Sequence, residues 1–249
     1  MTAHDCRWGL SPTNVILSQD DIHMWCASLD QPAPRLRWLM QTLNTDERAR
    51  AERFYFEQDR KRFIVGRGLL RTILGYYLNS EPGQLQFSYN SRGKPSLSET
   101  SGGDRVRFNL AHSQGLVLYV VAFGREIGVD LEYLRPIAEA EQIANRFFSD
   151  REKVAFHALT SHEKQEAFFR YWTCKEAFLK ASGEGLTEYL DQVDISMVAG
   201  EPATLLSIKG DRREASRWSL QELKPASGFA AALVVEGDSY RLACWQWTV

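Results

Sequence analysis

What most constrains this chain is the order of its apolar patterns: helical periodicity gives way to strand-like runs, and the same succession then begins again. Residues 1–34 read as an irregular arm with one strand, "DIHMWCASL", in which apolar Ile22, Met24 and Cys26 alternate with polar or exposed positions. Thr45, with Asp46 and Glu47, can cap a helix. A longer helix follows in "EQDRKRFIVGRGLLRTILGYYL", where Phe63, Leu70, Ile73, Leu74 and Tyr77 make a broad apolar face. Past the loop "NSEPGQ" come four strands, "LQFSYN", "VRFNLAH", "LVLYVVAF" and "IGVDLEY"; the polar, Gly-rich "SRGKPSLSETSGGDR" joins the first two. Helices over 137–147, 150–159 and 163–181 then lead to strands in "QVDISMV", "RWSLQEL", "AAALVVE" and "RLACWQW". This order predicts an α+β protein of two similar halves, 1–124 and 125–249, with a seam at 124–128. No defensible sequence repeat accompanies it.

Composition narrows the function classes. A net charge of -2 and a pI near 6.2 argue globally against a nucleic-acid or membrane protein. The charge is uneven, however: eight Arg or Lys and only three Asp or Glu lie between Arg48 and Arg71, a local excess suited to an anion. The longest apolar run, "GLVLYVVAFG", is half the ~20 residues a membrane span needs, so it reads as a buried strand. Cys6, Cys26, Cys174 and Cys244 have no C-x-x-C spacing, which argues against zinc. With seven Trp and 13 Phe available for a core, disulfides are not needed. A reducing, cytoplasmic setting is expected, and "MTAHDCRWGL" lacks the pattern of a secretory signal.

Two stretches carry candidate chemistry. In "IGVDLEYLRP", strand alternation turns Ile127, Val129 and Leu131 one way and Asp130 and Glu132 the other. The pair fits either a solvated outer face or a divalent metal site, and oxygen-only ligands favour Mg²⁺. In "FFRYWTCKEAFLKASGEGL", Phe168, Trp172, Glu176 and Lys180 fall four apart along one helical stripe. A surface Glu176–Lys180 pair would contribute only about 0.3–0.5 kcal/mol, a poor reason to interrupt an aromatic face. The sharper reading is a third carboxylate for a metal and a lysine for a phosphate, with Gly183 or Gly185 stopping the helix. His112 in "FNLAHSQG", and Arg92 and Lys94 around Gly93 in "SRGKP", are weak signals taken singly.

Taken together, "GKP", "FNLAHS", "GVDLE" and "WTCKEAFLK", in this order and spacing, resemble the 4′-phosphopantetheinyl transferases of the large, Sfp-like type. "GVDLEYLRP" and "FFRYWTCKEAFLKA" look most like the cyanobacterial members. The resemblance implies a pseudo-dimer in one chain with coenzyme A in the cleft between two similar α+β halves. It implies transfer of the 4′-phosphopantetheine arm to a serine of an apo acyl or peptidyl carrier protein, with release of adenosine 3′,5′-bisphosphate. It further implies Mg²⁺, with Mn²⁺ as an alternative, held by Asp130, Glu132 and Glu176; Lys180 at the phosphate, with Lys175 beside it; and Arg92, Gly93 and Lys94 around the adenine nucleotide. His112, with Arg62 or Arg67, would meet the 3′-phosphate. The serine's base is left open: Glu176, directly or through a water on the metal, or less favourably Glu152. Asp130, Glu176 and Lys180 are thus the catalytic expectation. One departure stands out: Ala111 replaces the family's usual Ser before His112, which would remove a hydroxyl contact to coenzyme A at a cost of about 0.5–1.5 kcal/mol.

Two competing readings are a non-catalytic coenzyme A- or carrier-binding homologue and a nucleic-acid module built on the Arg48 to Arg71 region. The intact acidic and lysine positions oppose the first, and the acidic balance opposes the second. The same basic region is a candidate surface for an acidic carrier of fatty-acid, polyketide or nonribosomal-peptide type. A monomer would suffice, since one chain supplies both halves.

Overall fold

A computed structural model describes residues 7–12, 14–91, 93–103, 105–183, 189–198 and 201–248. The first half runs β2 (Asp21–Ser28), α1 (Ala33–Thr42), α2 (Thr45–Glu52), α3 (Glu57–Leu78), the hairpin β3 (Phe87–Tyr89) and β4 (Pro95–Leu97), then β5 (Val106–Ser113) and β6 (Leu116–Phe123), after a short β1 (Trp8–Leu10). The second half repeats this order as β7 (Ile127–Tyr133), α4 (Ala140–Phe147), α5 (Asp150–His157), α6 (Ser161–Ser182), the pair β8 (Val193–Ser196) and β9 (Thr204–Ile208), then β10 (Trp218–Leu223) and β11 (Phe229–Glu236); a four-residue α7 (Arg212–Ala215) precedes β10. The long helices α3 and α6 are both 22 residues. Antiparallel sheets β2-β6-β5 and β7-β11-β10 share one topology, so the halves repeat in structure although no repeat is evident in sequence.

The last strand, β12 (Arg241–Gln246), belongs to the second half by sequence yet pairs in parallel with β2 of the first. β1 pairs in turn with β12, a strand the sequence pattern did not foretell. β2 is buried on both faces rather than alternating, because α3 covers the side that carries Trp25 and Ala27. Asn44, not Thr45, caps α2, and its side chain and Glu47 bond reciprocally to each other's backbone N–H.

The two sheets stack face to face. Ile22, Met24, Leu118 and Val120 from one meet Val129, Leu131, Leu233 and Val235 from the other. Each fully buried side chain of this size contributes about 1.5–3 kcal/mol, so apolar burial is the main force closing the seam. Beneath α3 lies a second core and beneath α6 a third. Alternation on β7 turns Gly128, Asp130 and Glu132 toward α6. A Cβ on Gly128 would overlap the Ala177 carbonyl oxygen and the Ala181 nitrogen, with the Ala181 Cα at 3.0 Å. Glycine there lets α6 lie directly on the strand. Cys26 and Cys174 are free and buried, whereas Cys244 is disulfide-bonded, contrary to the expectation of a chain without disulfides. No described helix is long and apolar enough to cross a membrane.

Candidate active site

A cavity of about 1050 Å³ opens between the halves. The first half contributes Arg62 and Arg67 from α3, Gly93 and Lys94 from the β3–β4 turn, and His112 from the end of β5; the second contributes Glu176 and Lys180 from α6. α6 begins at a Thr160–Glu163 capping box and ends at Gly183, whose φ of 70° closes the helix in the left-handed region; Gly185 lies outside the described residues.

Asp130 is 6% exposed, which rules out the solvated-face reading of β7. Lys180 Nζ donates to Asp130 Oδ1 at 2.7 Å. Asp130 Oδ2 and Glu176 Oε1 are buried without a hydrogen-bond partner. Burial, then the charge of Asp130 and that of Glu132, push the Glu176 carboxyl up to about 7, with Lys180 opposing. Glu132 is raised by burial and by Asp130, while Ser113, which donates to Glu132 Oε2 at 3.2 Å, opposes the rise. Burial, Lys180 and Arg62 hold the His112 imidazole below its ordinary value.

Among the described residues, no three His, Cys, Asp or Glu side chains stand together as a ready metal cage. The donor set nevertheless suits a hard divalent cation. It is all carboxylate oxygen, two of its oxygens are buried and unpartnered, and a lysine already neutralises one acid.

The remaining expected residues divide. Arg62 grips Asp30 through two 2.9 Å bonds at the cavity wall. Arg67 bonds Glu47 Oε1 at 2.5 Å and Tyr89, over the Phe87 ring. Lys94 reaches the Ala181 carbonyl at 3.3 Å and Glu126 at 3.5 Å, tying the first half's hairpin to the end of α6. Gly93 turns with φ 81°, and Arg92 lies outside the described residues.

Lys175 is the main correction. It is fully buried, not beside the cavity, and its Nζ meets Glu152 Oε2 at 2.8 Å and the carbonyls of Leu190 and Val193 at 2.6 and 2.5 Å. Glu152, 1% exposed, also accepts from the backbone of Ser149 and Ile195, so it cannot be the serine's base. Ala111, 4% exposed, packs into the core between the sheets and does not line the cavity. The departure from Ser therefore removes no hydroxyl from a ligand's reach.

The first half repeats the buried pair. Arg71 occupies the place along α3 that Lys175 holds along α6. Its Nε donates to the capping-box Glu47 at 2.7 Å, and its Nη1 to the Pro82 and Leu85 carbonyls at 2.8 and 3.0 Å. Both pairs fasten a long helix to the capped helix before it and to the loop after it. Losing one partner strands a buried charge. Lys175→Met should lower unfolding free energy by about 3–5 kcal/mol, and Lys175→Met with Glu152→Gln by clearly less, as read by denaturant unfolding.

The basic stretch is less of a surface than its composition suggests, since Arg67 and Arg71 turn inward to Glu47. Arg50 and Phe54 line the cavity and were not singled out by sequence. Asn109 also lines it, from the middle of β5.

A family model for the 4′-phosphopantetheinyl transferase superfamily matches residues 126–243, and one for the N-terminal part of 4′-phosphopantetheinyl transferases matches 28–123. The chain is 46% identical over 240 residues to the 4′-phosphopantetheinyl transferase HetI of Nostoc sp., covering 96% of this chain and 98% of the relative. It is 37% identical over 174 residues to a putative 4′-phosphopantetheinyl transferase of Synechocystis sp., 68% of each chain. It is 30% identical over 159 residues to the 4′-phosphopantetheinyl transferase Sfp of Bacillus subtilis, covering 64% of this chain and 68% of that one. An acidic, lysine-bearing cleft between two like halves, and likeness to one family of transferases along nearly the whole chain, agree: the chain belongs to the 4′-phosphopantetheinyl transferase superfamily.

Proposed function

We propose that this transferase moves the 4′-phosphopantetheine arm of coenzyme A onto a serine of apo acyl or peptidyl carrier proteins. The serine oxygen bonds to the phosphorus that carries the pantetheine, the bridging P–O bond breaks, and adenosine 3′,5′-bisphosphate leaves with the bridging oxygen. The observation that carries the reading is the buried Asp130 bonded to Lys180, with Lys180 and Glu176 opening from α6 onto a cavity that both halves line.

Asp130, Glu132 and Glu176 would hold Mg²⁺, or Mn²⁺ in its place. When bound, the ion supplies positive charge to the pyrophosphate oxygens. Lys180 neutralises charge that develops on the leaving group, which is the main task in such displacements. Glu176 is the carboxylate with access to the cavity, and it would take the serine proton directly or through a water. Arg62, Arg67, His112, Lys94 and Gly93 line the wall suited to the nucleotide's phosphates. Asp30 and Glu47 hold the two arginines in place.

The test is intact-protein mass spectrometry of a panel of apo carriers incubated with coenzyme A and Mg²⁺. One phosphopantetheine mass should appear on accepted carriers and vanish with EDTA. No gain on any carrier would overturn the reading. Arg53 and Lys61 are exposed and adjoin the cavity-lining Phe54 and Arg62 in sequence, and this basic rim would meet an acidic carrier, as a monomer. Arg53→Glu with Lys61→Glu should raise KM for the carrier about tenfold and KM for coenzyme A far less. Equal effects on both would make this rim a coenzyme A contact instead.

A further inference from the structure

β7 is the edge of its sheet, and it carries Asp130 and Glu132. Its neighbour across the seam is β5, the edge of the other sheet. The two strands are not paired backbone to backbone. Instead, side chains of β5 reach the free edge of β7. The Val129 N–H donates to Asn109 Oδ1 at 3.2 Å, and the Tyr133 N–H donates to Ser113 Oγ at 3.1 Å. The Ser113 hydroxyl then spends its one proton on Glu132 Oε2 at 3.2 Å.

These contacts form a ladder. Asn109, Ala111 and Ser113 alternate onto one face of β5, and the N–H groups of Val129, Leu131 and Tyr133 alternate onto one edge of β7. The outer rungs are filled by an amide and a hydroxyl. The middle one, where Ala111 faces Leu131, has no polar atom to offer. The filled rungs flank the two carboxylates on either side.

We propose that Asn109 and Ser113 are positioning residues for the transfer. Reaching from the first half, they set the height and tilt of the strand that presents Asp130 and Glu132 from the second, and Ala111 is an empty rung of the same ladder. Apolar burial already closes the seam, so the pegs add registration: without them β7 can slide against β5 with little loss of contact area. The ladder also makes the site depend on both halves being docked. The proposal rests on the assignment of Asp130 and Glu132 to the transfer site.

The test reads structure and rate separately. Amide hydrogen exchange is followed at Val129, Leu131 and Tyr133, without divalent cations, in Asn109→Ala, Ser113→Ala, Ser113→Thr and Ala111→Ser. Exchange at Tyr133 should rise about tenfold in Ser113→Ala and exchange at Val129 likewise in Asn109→Ala, while Ala111→Ser should slow Leu131. In carrier modification, both alanine variants should lose about 10–100-fold in kcat with KM for coenzyme A little changed, and Ser113→Thr, which keeps the hydroxyl, should recover most of the loss. Unmoved exchange in all four variants would overturn the ladder. Faster exchange with kcat kept within about twofold of wild type would overturn the positioning role, leaving a merely structural contact. Asp130→Asn, run alongside, separates the two levels: full activity in that variant would sink the site assignment itself. If an alanine variant fails to fold, the slowing of Leu131 exchange in Ala111→Ser still decides whether the rungs exist.

Discussion

Glu176→Gln is expected to abolish transfer while making the protein harder to unfold at pH 8. The two effects share one cause. Burial, with Asp130 and Glu132 nearby, pushes this carboxyl up to about 7, against 4.5 for an unhindered glutamate. The folded chain therefore binds a proton that the unfolded chain has lost. The resulting stabilisation is full below the unfolded value and is lost as pH rises through about 7. At pH 8 the ionised, half-buried carboxylate costs about 2 kcal/mol once its partial solvation is allowed for. A glutamine avoids that cost, so without divalent cations its melting temperature should exceed the wild type's by roughly 5 °C at pH 8 and converge with it near pH 5. Carrier modification should fall by about 10²–10³-fold or more, because the base and a charge-stabilising ligand go together. Equal melting temperatures at pH 8 would mean that the carboxyl is not strained. An active variant would mean that it is not the base.

Gly128→Ala should be among the most damaging one-carbon changes on the strand. The added methyl would meet backbone atoms of Ala177 and Ala181, which cannot rotate away as a side chain tip can. α6 must lift, or β7 must bend. Overpacking of this kind costs about 1–3 kcal/mol, and here it falls toward the upper end because the obstruction is main chain. The lift acts between the strand that bears Asp130 and the helix that bears Glu176 and Lys180. A displacement of about 1 Å is enough for a hundredfold loss of rate. Calorimetry and carrier modification should therefore both report the change. A variant that melts lower yet keeps full activity would mean that close helix–strand contact does not set the site.

Much of this was legible in the chain, and the misses have physical reasons. Strand alternation placed Asp130 and Glu132 on the face opposite Val129, and the four-residue stripe placed Glu176 with Lys180, because both rules are local geometry. Lys175 went astray because a one-residue step along a helix is about 100° around it. That turn carries it from the cavity into the core, and its partners, Glu152 and two carbonyls beyond the helix, are not adjacent in sequence. Ala111 was misplaced for a similar reason: which face of β5 meets the cavity depends on where α3 lies, and no periodicity reports that. β12 was recognised as a strand, but its parallel partner β2 is more than two hundred residues away, and pairing at that distance leaves no local mark.

That strand has a consequence for how the enzyme behaves as a material. Where the Glu176–Lys180 stretch of α6 faces the first half, the chain keeps a hollow. In the corresponding place, where α3 meets β2, Trp25 packs against Trp245 and Trp247, and Tyr76, at the position along α3 that Lys180 holds along α6, stacks on Trp247 at 5.9 Å. The twofold likeness is thus broken by the end of the chain, which fills one of two equivalent gaps and braces both halves while doing so. Two separate copies of one half would have to find each other before either could work, and their output would fall with the square of dilution. Here both walls of the hollow are covalently one object, so turnover per molecule should stay constant however thinly the protein is spread.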